Sequence, residues 1–244
     1  MTTEITTISM GMPKIEAAAS RWNWLYRGGG LAAWLSVVFF PIQILVFILN
    51  PPPATVIGWF RLFQNNRLVG LLDLDLLLIF DEALVILIFL ALYVALRHVS
   101  ESFMAIGITL GLVSAVFFIA SNPAFAMLSL SDQYAAAATD AQRAMFLAAG
   151  QATLATWQGS GFQAGYFLGS IAPIIMSVVM LRSKLFSKAT AYLGILSNVI
   201  ALGLYVPKIG TYISIFSVVF LWMWYILVAR RLFQLGNGDH GGAK

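Results

Sequence analysis

Leu68-Val-Gly-Leu-Leu-Asp73-Leu-Asp75-Leu-Leu-Leu-Ile-Phe-Asp81-Glu82-Ala-Leu-Val-Ile-Leu-Ile-Phe-Leu-Ala-Leu-Tyr93-Val-Ala-Leu-Arg97 is one long, leucine-rich apolar run. An apolar run of this length is a membrane span, because about 20 such residues in a helix cross the ~30 Å hydrocarbon core. Yet it holds four of the chain's ten carboxylates. Ionisable side chains in a span are costly. They persist where they face protein, water, an ion or one another, so all four are candidate site residues.

The remaining composition belongs to the same class. Of the 244 residues, 60% are hydrophobic and 10% charged, with a mean hydropathy of +0.88. Soluble domains are about 45–50% apolar and about 25% charged. Six stretches are long enough to span: Gly28–Leu49, Leu68–Leu96, Phe103–Asn122, Gly161–Leu181, Ala189–Val206 and Tyr212–Ala229. The expected fold class is therefore all-α, a polytopic integral membrane helical bundle. Residues 1–27 are read as a cytoplasmic segment, 28–233 as the membrane domain, and 234–244 as a Gly-rich disordered tail.

Basic residues set the orientation, because cytoplasmic loops carry the excess of Lys and Arg. Lys14, Arg21, Arg27, Arg97, Arg182, Lys184, Lys188, Arg230, Arg231 and Lys244 fall on one side, against Arg61, Arg67, Arg143 and Lys208 on the other. Both termini are thus expected inside. The polar first twenty residues lack the apolar core of a cleavable signal peptide. Most of the seven Trp residues sit near proposed span ends, as an interfacial belt requires.

Two outer connections carry helical signals. After Pro51-Pro52-Pro53, Val56, Trp59, Phe60 and Phe63 recur at helical spacing, which reads as an interfacial helix over 55–65. Further on, Thr139-Asp140-Ala141-Gln142 has capping-box spacing and starts a helix over 141–157, a lid or clasp on the outer face.

In one uninterrupted helix, at about 100° per residue, Asp75 and Glu82 share a face while Asp73 and Asp81 point the other way. Both acidic faces must then be covered, either by neighbouring helices or by a second protomer. Asp73 and Asp75 lie near the outer boundary, within reach of Arg61, Arg67 or Lys208, and Asp81 and Glu82 lie near the midplane. No Lys, Arg or His occurs at that depth in any other span. The adjacent pair should not both be ionised unless a cation or water compensates them. Gln163, Tyr166, Ser170 and Ser177 of the fourth span, Ser197 and Asn198 of the fifth, Ser114 of the third and Gln43 of the first could line a polar cavity opening outward, with Asp81 and Glu82 at its floor.

A structural reading stands beside this one. Intramembrane Ser, Asn and Gln often only bond helices together, and Asp near a span end often only caps or anchors. Gly161-x-x-x-Gly165-x-x-x-Gly169 is close-packing spacing.

Several chemistries lose their residues. Without cysteine there is no disulfide, thiolate nucleophile or sulfur ligand. His98 sits in a cytoplasmic turn and His240 in the tail, so neither a zinc site nor a Ser-His pair can be assembled in the membrane. No Walker loop occurs, and no mid-span Lys could hold a Schiff base. Adjacent Asp81 and Glu82 diverge by about 100° and form no facing acid dyad alone. No catalytic residue, metal ligand or cofactor is assigned. The net charge of +4 comes from scattered loop anchors, so nucleic acid is not an expected partner.

The stretch from Phe60 to about Phe233 resembles the bacterial domain-of-unknown-function 4386 family of multi-span membrane proteins. The residues that carry the resemblance are Arg67-Leu-Val-Gly-Leu-Leu-Asp-Leu-Asp75 with Ala91-Leu-Tyr-Val-Ala-Leu-Arg97, Leu128-Ser-Leu-Ser-Asp-Gln-Tyr134, and Phe186-Ser-Lys-Ala-Thr-Ala-Tyr-Leu-Gly-Ile195. It implies a multi-pass protein of the bacterial inner membrane and brings no activity or catalytic residue with it.

Three readings follow. The first is a membrane protein whose acidic cavity binds or moves a small molecule or ion, as a homodimer if it transports. The second is an accessory or interaction protein with structural carboxylates. The third is a lipid-modifying enzyme using an outward-facing carboxylate.

Overall fold

The computed structural model describes residues 22–238. Lys14, Arg21, His240, Lys244 and most of the two terminal segments lie outside these residues. In chain order the helices are α1 (Asn23–Leu49), α2 (Val56–Asn65), α3 (Arg67–Asp73), α4 (Leu76–Leu96), α5 (Glu101–Ser121), α6 (Ala124–Ala136), α7 (Asp140–Trp157), α8 (Ser160–Arg182), α9 (Lys188–Ala201) and α10 (Gly210–Gly236), with a 3₁₀ turn at Leu202–Tyr205 after α9. No strand occurs among the described residues. Five helical stretches, containing α1, α4, α5, α8 and α10, are long and apolar enough to cross a membrane. The sixth expected span is α9, whose 14 residues reach about 21 Å at 1.5 Å each.

These six helices form a closed ring. α1 packs on α4, α4 on α5, α5 on α8, α8 on α9, α9 on α10, and α10 returns to α1. Small residues set the closest approach. A side chain at Gly165 would meet Phe117 Cβ at 3.2 Å and the Ser114 carbonyl oxygen at 3.3 Å. The Gly161/Gly165/Gly169 face therefore packs on α5, as its spacing anticipates. The ring's outer surface is apolar: Leu31, Leu45 and Ile48 on α1 and Ile215, Phe216 and Val219 on α10 are exposed. So continuous an apolar surface suits lipid rather than water.

The remaining helices form a cap at one end, with its own core of Trp59, Phe60 and Phe63 from α2, Leu74, and Met127 from α6. α2 starts at Thr55, whose side chain accepts from the Gly58 N–H. α7 starts with the expected capping box of Thr139 and Gln142. Trp59 and Trp157 meet edge to face at 6.3 Å. At the opposite end, Arg27 Nε donates to the Gly236 carbonyl at 3.0 Å, Arg97 lies 6.0 Å over the Trp22 ring, and Arg231 Nε donates to the Leu185 carbonyl. Those basic residues, placed on one side by the sequence, thus gather at the end away from the cap.

Two expectations change. The run from Leu68 is not one helix: it breaks at Leu74–Asp75, where Asp75 adopts a left-handed backbone with φ 60° and ψ 36°. The face-sharing of Asp75 with Glu82, and of Asp73 with Asp81, assumed continuity and does not hold. The connection after Asn122 also contains the unforeseen helix α6. Its signal was present in Asn122-Pro123 followed by Ala124, Met127 and Ser131, the buried positions of that helix.

Candidate functional site

Every helix of the ring contributes to one cavity of about 260 Å³. α4 supplies Asp81, Glu82 and Phe89, α5 supplies Ser114 and Phe118, and α8 supplies Tyr166 and Ser170. Asn198 comes from α9, Ser214, Trp224 and Tyr225 from α10, and Phe40 from α1. Because α4 starts at Leu76, Glu82 is about 9 Å along the helix from its first residue. The pair therefore lies in the half of α4 nearer the cap, rather than midway along a span beginning at Leu68.

The neutral polar residues are mostly held by backbone. Ser114 Oγ donates to the Gly165 carbonyl at 2.8 Å, tying α5 to α8. Ser170 Oγ donates to the Tyr166 carbonyl at 2.9 Å, and Asn198 Nδ2 to the Gly194 carbonyl at 2.8 Å. The Tyr166 hydroxyl bonds the Ala201 carbonyl at 3.2 Å and also pairs with Ser214 Oγ. One phenol thereby joins α8 to the end of α9 and to α10.

The carboxylates are held far more loosely: the Ser36 hydroxyl stands beside Asp81 but falls short of hydrogen-bond geometry. The Glu82 side chain is 8% exposed and makes no hydrogen bond or ion pair with the described residues. Asp81 Oδ1 is buried without a hydrogen-bond partner. The two ion pairs among the described residues are Arg67–Asp132 at 2.9 Å and Arg143–Asp140 at 3.5 Å, both remote from the cavity. Among the described residues no Lys, Arg or His lines it. Tyr225 lies within electrostatic reach of both carboxylates.

Asp81 also borders a second, smaller cavity of about 90 Å³ between α1 and α4, shared with Asp75, Ser36 and Gln43. Asp75 thus joins Asp81 there and does not enter the central cavity. Asp73 reaches neither cavity: it is fully buried at the end of α3, and neither oxygen has a hydrogen-bond partner. Gln163 is also outside. Its amide donates to the Gln158 carbonyl at 3.3 Å, while its own carbonyl accepts from the Tyr205 hydroxyl at 3.0 Å. Arg67 turns to Asp132 instead of serving Asp73 or Asp75. Of the eight candidate residues, Asp81, Glu82, Tyr166, Ser170 and Asn198 come together.

Sequence reading missed the aromatic wall of the cavity and the residue that holds the helix break. Trp224 and Tyr225, within the last proposed span, are 1% and 5% exposed and form cavity wall. Asn122 holds the helix break, its Nδ2 reaching the Leu74 carbonyl at 2.9 Å and the Asp75 carbonyl at 3.2 Å, while Oδ1 accepts from the Ala124 N–H at 3.0 Å.

The class defined by fold and site is an all-helical bundle with five helical stretches long and apolar enough to cross a membrane and an acidic, aromatic-walled internal cavity. Comparison with protein-family models, with curated proteins and with solved structures finds no match to this chain.

Proposed function

We propose that the chain is a six-span integral membrane protein of the bacterial inner membrane, both termini inside, whose central cavity binds a small molecule or ion for passage or sensing. The observation that carries this reading is the closed ring itself: six helices contribute to one cavity, and its carboxylates have no protein partner of opposite charge. A purely structural bundle gains nothing by burying Glu82 unpaired, since desolvating a charge is costly and a well-packed apolar residue would serve better.

The sixth span is α9 with its 3₁₀ extension. Four further residues at about 2 Å each lengthen it by roughly 8 Å, bringing the total close to the ~30 Å of a hydrocarbon core. The resemblance to the domain-of-unknown-function 4386 family belongs to this proposal and agrees with the location, while leaving the ligand open.

Because the chain has no cysteine, a single Ser170→Cys variant reports on the cavity alone. In membrane vesicles, neutral methyl methanethiosulfonate is expected to label it. A folded variant that stays unlabelled over hours would show a sealed cavity and remove the ligand-site reading.

A further inference from the structure

We infer that the central cavity is built for a small organic cation, an amine or quaternary ammonium carrying an apolar body. The inference rests on the reading of the cavity as a ligand site and names the class of ligand.

Charge comes first. Glu82 is more than nine-tenths buried, unpaired, and in the cavity wall. Asp81 stands next to it in sequence and lines the same space. No basic side chain among the described residues lines it, so a cationic guest supplies the compensation they omit. An anion would add a third negative group to a desolvated site.

The wall then separates organic from inorganic cations. Hard metal ions want six or more oxygen ligands at short range. Among the described residues no three His, Cys, Asp or Glu groups converge to hold a metal. Most of the wall is carbon, with the rings of Phe118, Tyr166, Trp224 and Tyr225 around the carboxylates. Aromatic faces attract ammonium groups, Trp most strongly, and they also solvate the guest's apolar part. A volume of about 260 Å³ falls just below the roughly 300–1,000 Å³ of pockets for drug-sized ligands, which selects a small guest.

The test uses full-length Ser170→Cys protein in nanodiscs, with labelling by methyl methanethiosulfonate as readout. Benzyltrimethylammonium, benzyl alcohol, benzoate and sodium chloride are added separately at equal concentration. Benzyltrimethylammonium alone is expected to slow labelling. Adding Glu82→Gln should weaken that protection about tenfold or more while labelling itself continues. Equal protection by benzyl alcohol or benzoate, or protection by none of the four, would overturn the cation inference and leave an accessible cavity standing. Protection by sodium chloride alone would transfer the site to an inorganic ion and also overturn it. No labelling in any condition would instead remove the cavity reading beneath it. Should the Glu82→Gln protein fail to fold, the charge series on the Ser170→Cys protein still decides.

Discussion

Asp73 and Asp75 sit at a broken backbone, whereas Asp81 and Glu82, fewer than ten residues on, sit in regular helix facing a cavity. Along the sequence the two pairs look alike, as acids embedded in leucine. In the fold they answer to different forces. Asp75 belongs to the chain's path: it takes the left-handed turn that starts α4, and Asn122 and Gln43 donate to carbonyls around the break, whereas Asp73 is buried at the end of α3 with neither oxygen hydrogen-bonded. Asp is one of the few non-glycine types that visits this conformation readily. The second pair contributes nothing visible to the chain's path: Glu82 makes no hydrogen bond with the described residues, and Asp81 has only the Ser36 hydroxyl beside it. Acid at a break is explained by geometry; acid on an uninterrupted helix in a cavity wall asks for a ligand.

Disrupting the ring should have the largest effect. Gly165→Leu places a branched side chain against Phe117 and the Ser114 backbone and should cost about 3 kcal/mol, the upper end for overpacking. A thermal melt in detergent matching the parent would show that the α5–α8 contact is loose and the cavity wall not fixed.

Next comes the clamp. Asn122→Ala removes three hydrogen bonds at the break and the start of α6. At about 1 kcal/mol each, with partial replacement by water, the loss should be about 2 kcal/mol. Ligand protection at Ser170→Cys should survive in the folded fraction. If protection disappears while the melt is unchanged, break and cavity are one unit and the contrast between the carboxylate pairs fails.

A smaller effect is expected at Asp75 itself. Asp75→Val forces a β-branched residue to φ 60° and should cost about 1–2 kcal/mol, whereas Asp75→Gly and Asp75→Asn should stay near the parent. If Asn behaves like Val, the carboxylate charge rather than the backbone holds this position, and Asp75 joins the functional pair.

How far could these assignments be read in the sequence? Five long apolar helical stretches were legible because hydropathy is a local property, and so were the α7 capping box and the glycine face on α8, both short-range patterns. The break at Leu74–Asp75 was not. It has no glycine or proline, and the side chains that hold it open come from Gln43 and Asn122, 29 and 47 to 48 positions away. Ring order was hidden for the same reason: nothing in either helix's sequence says that α10 closes on α1. Tyr166, Ser170 and Asn198 could be placed with Asp81 and Glu82 because each lies on a helical stripe at matching depth. Gln163 shares that stripe but sits at the helix start, where its amide finds the Gln158 carbonyl first.

The smallest stability effect should fall on the most functional residue. Glu82 has no hydrogen bond or ion pair with the described residues to lose, so Glu82→Gln keeps its shape, removes a buried acid and should leave the melt no lower than the parent's. Residues retained for function rather than stability behave this way, because the fold carries them at a cost. The same substitution should weaken protection by benzyltrimethylammonium about tenfold or more, while Asp75→Val lowers the melt and spares protection. Measured side by side, the two variants should separate, one losing affinity for the ligand and the other losing stability. A melt for Glu82→Gln that drops as far as that of Asp75→Val would mean that the cavity carboxylate holds helices together after all, and the accessory-protein reading would take the place of the ligand site.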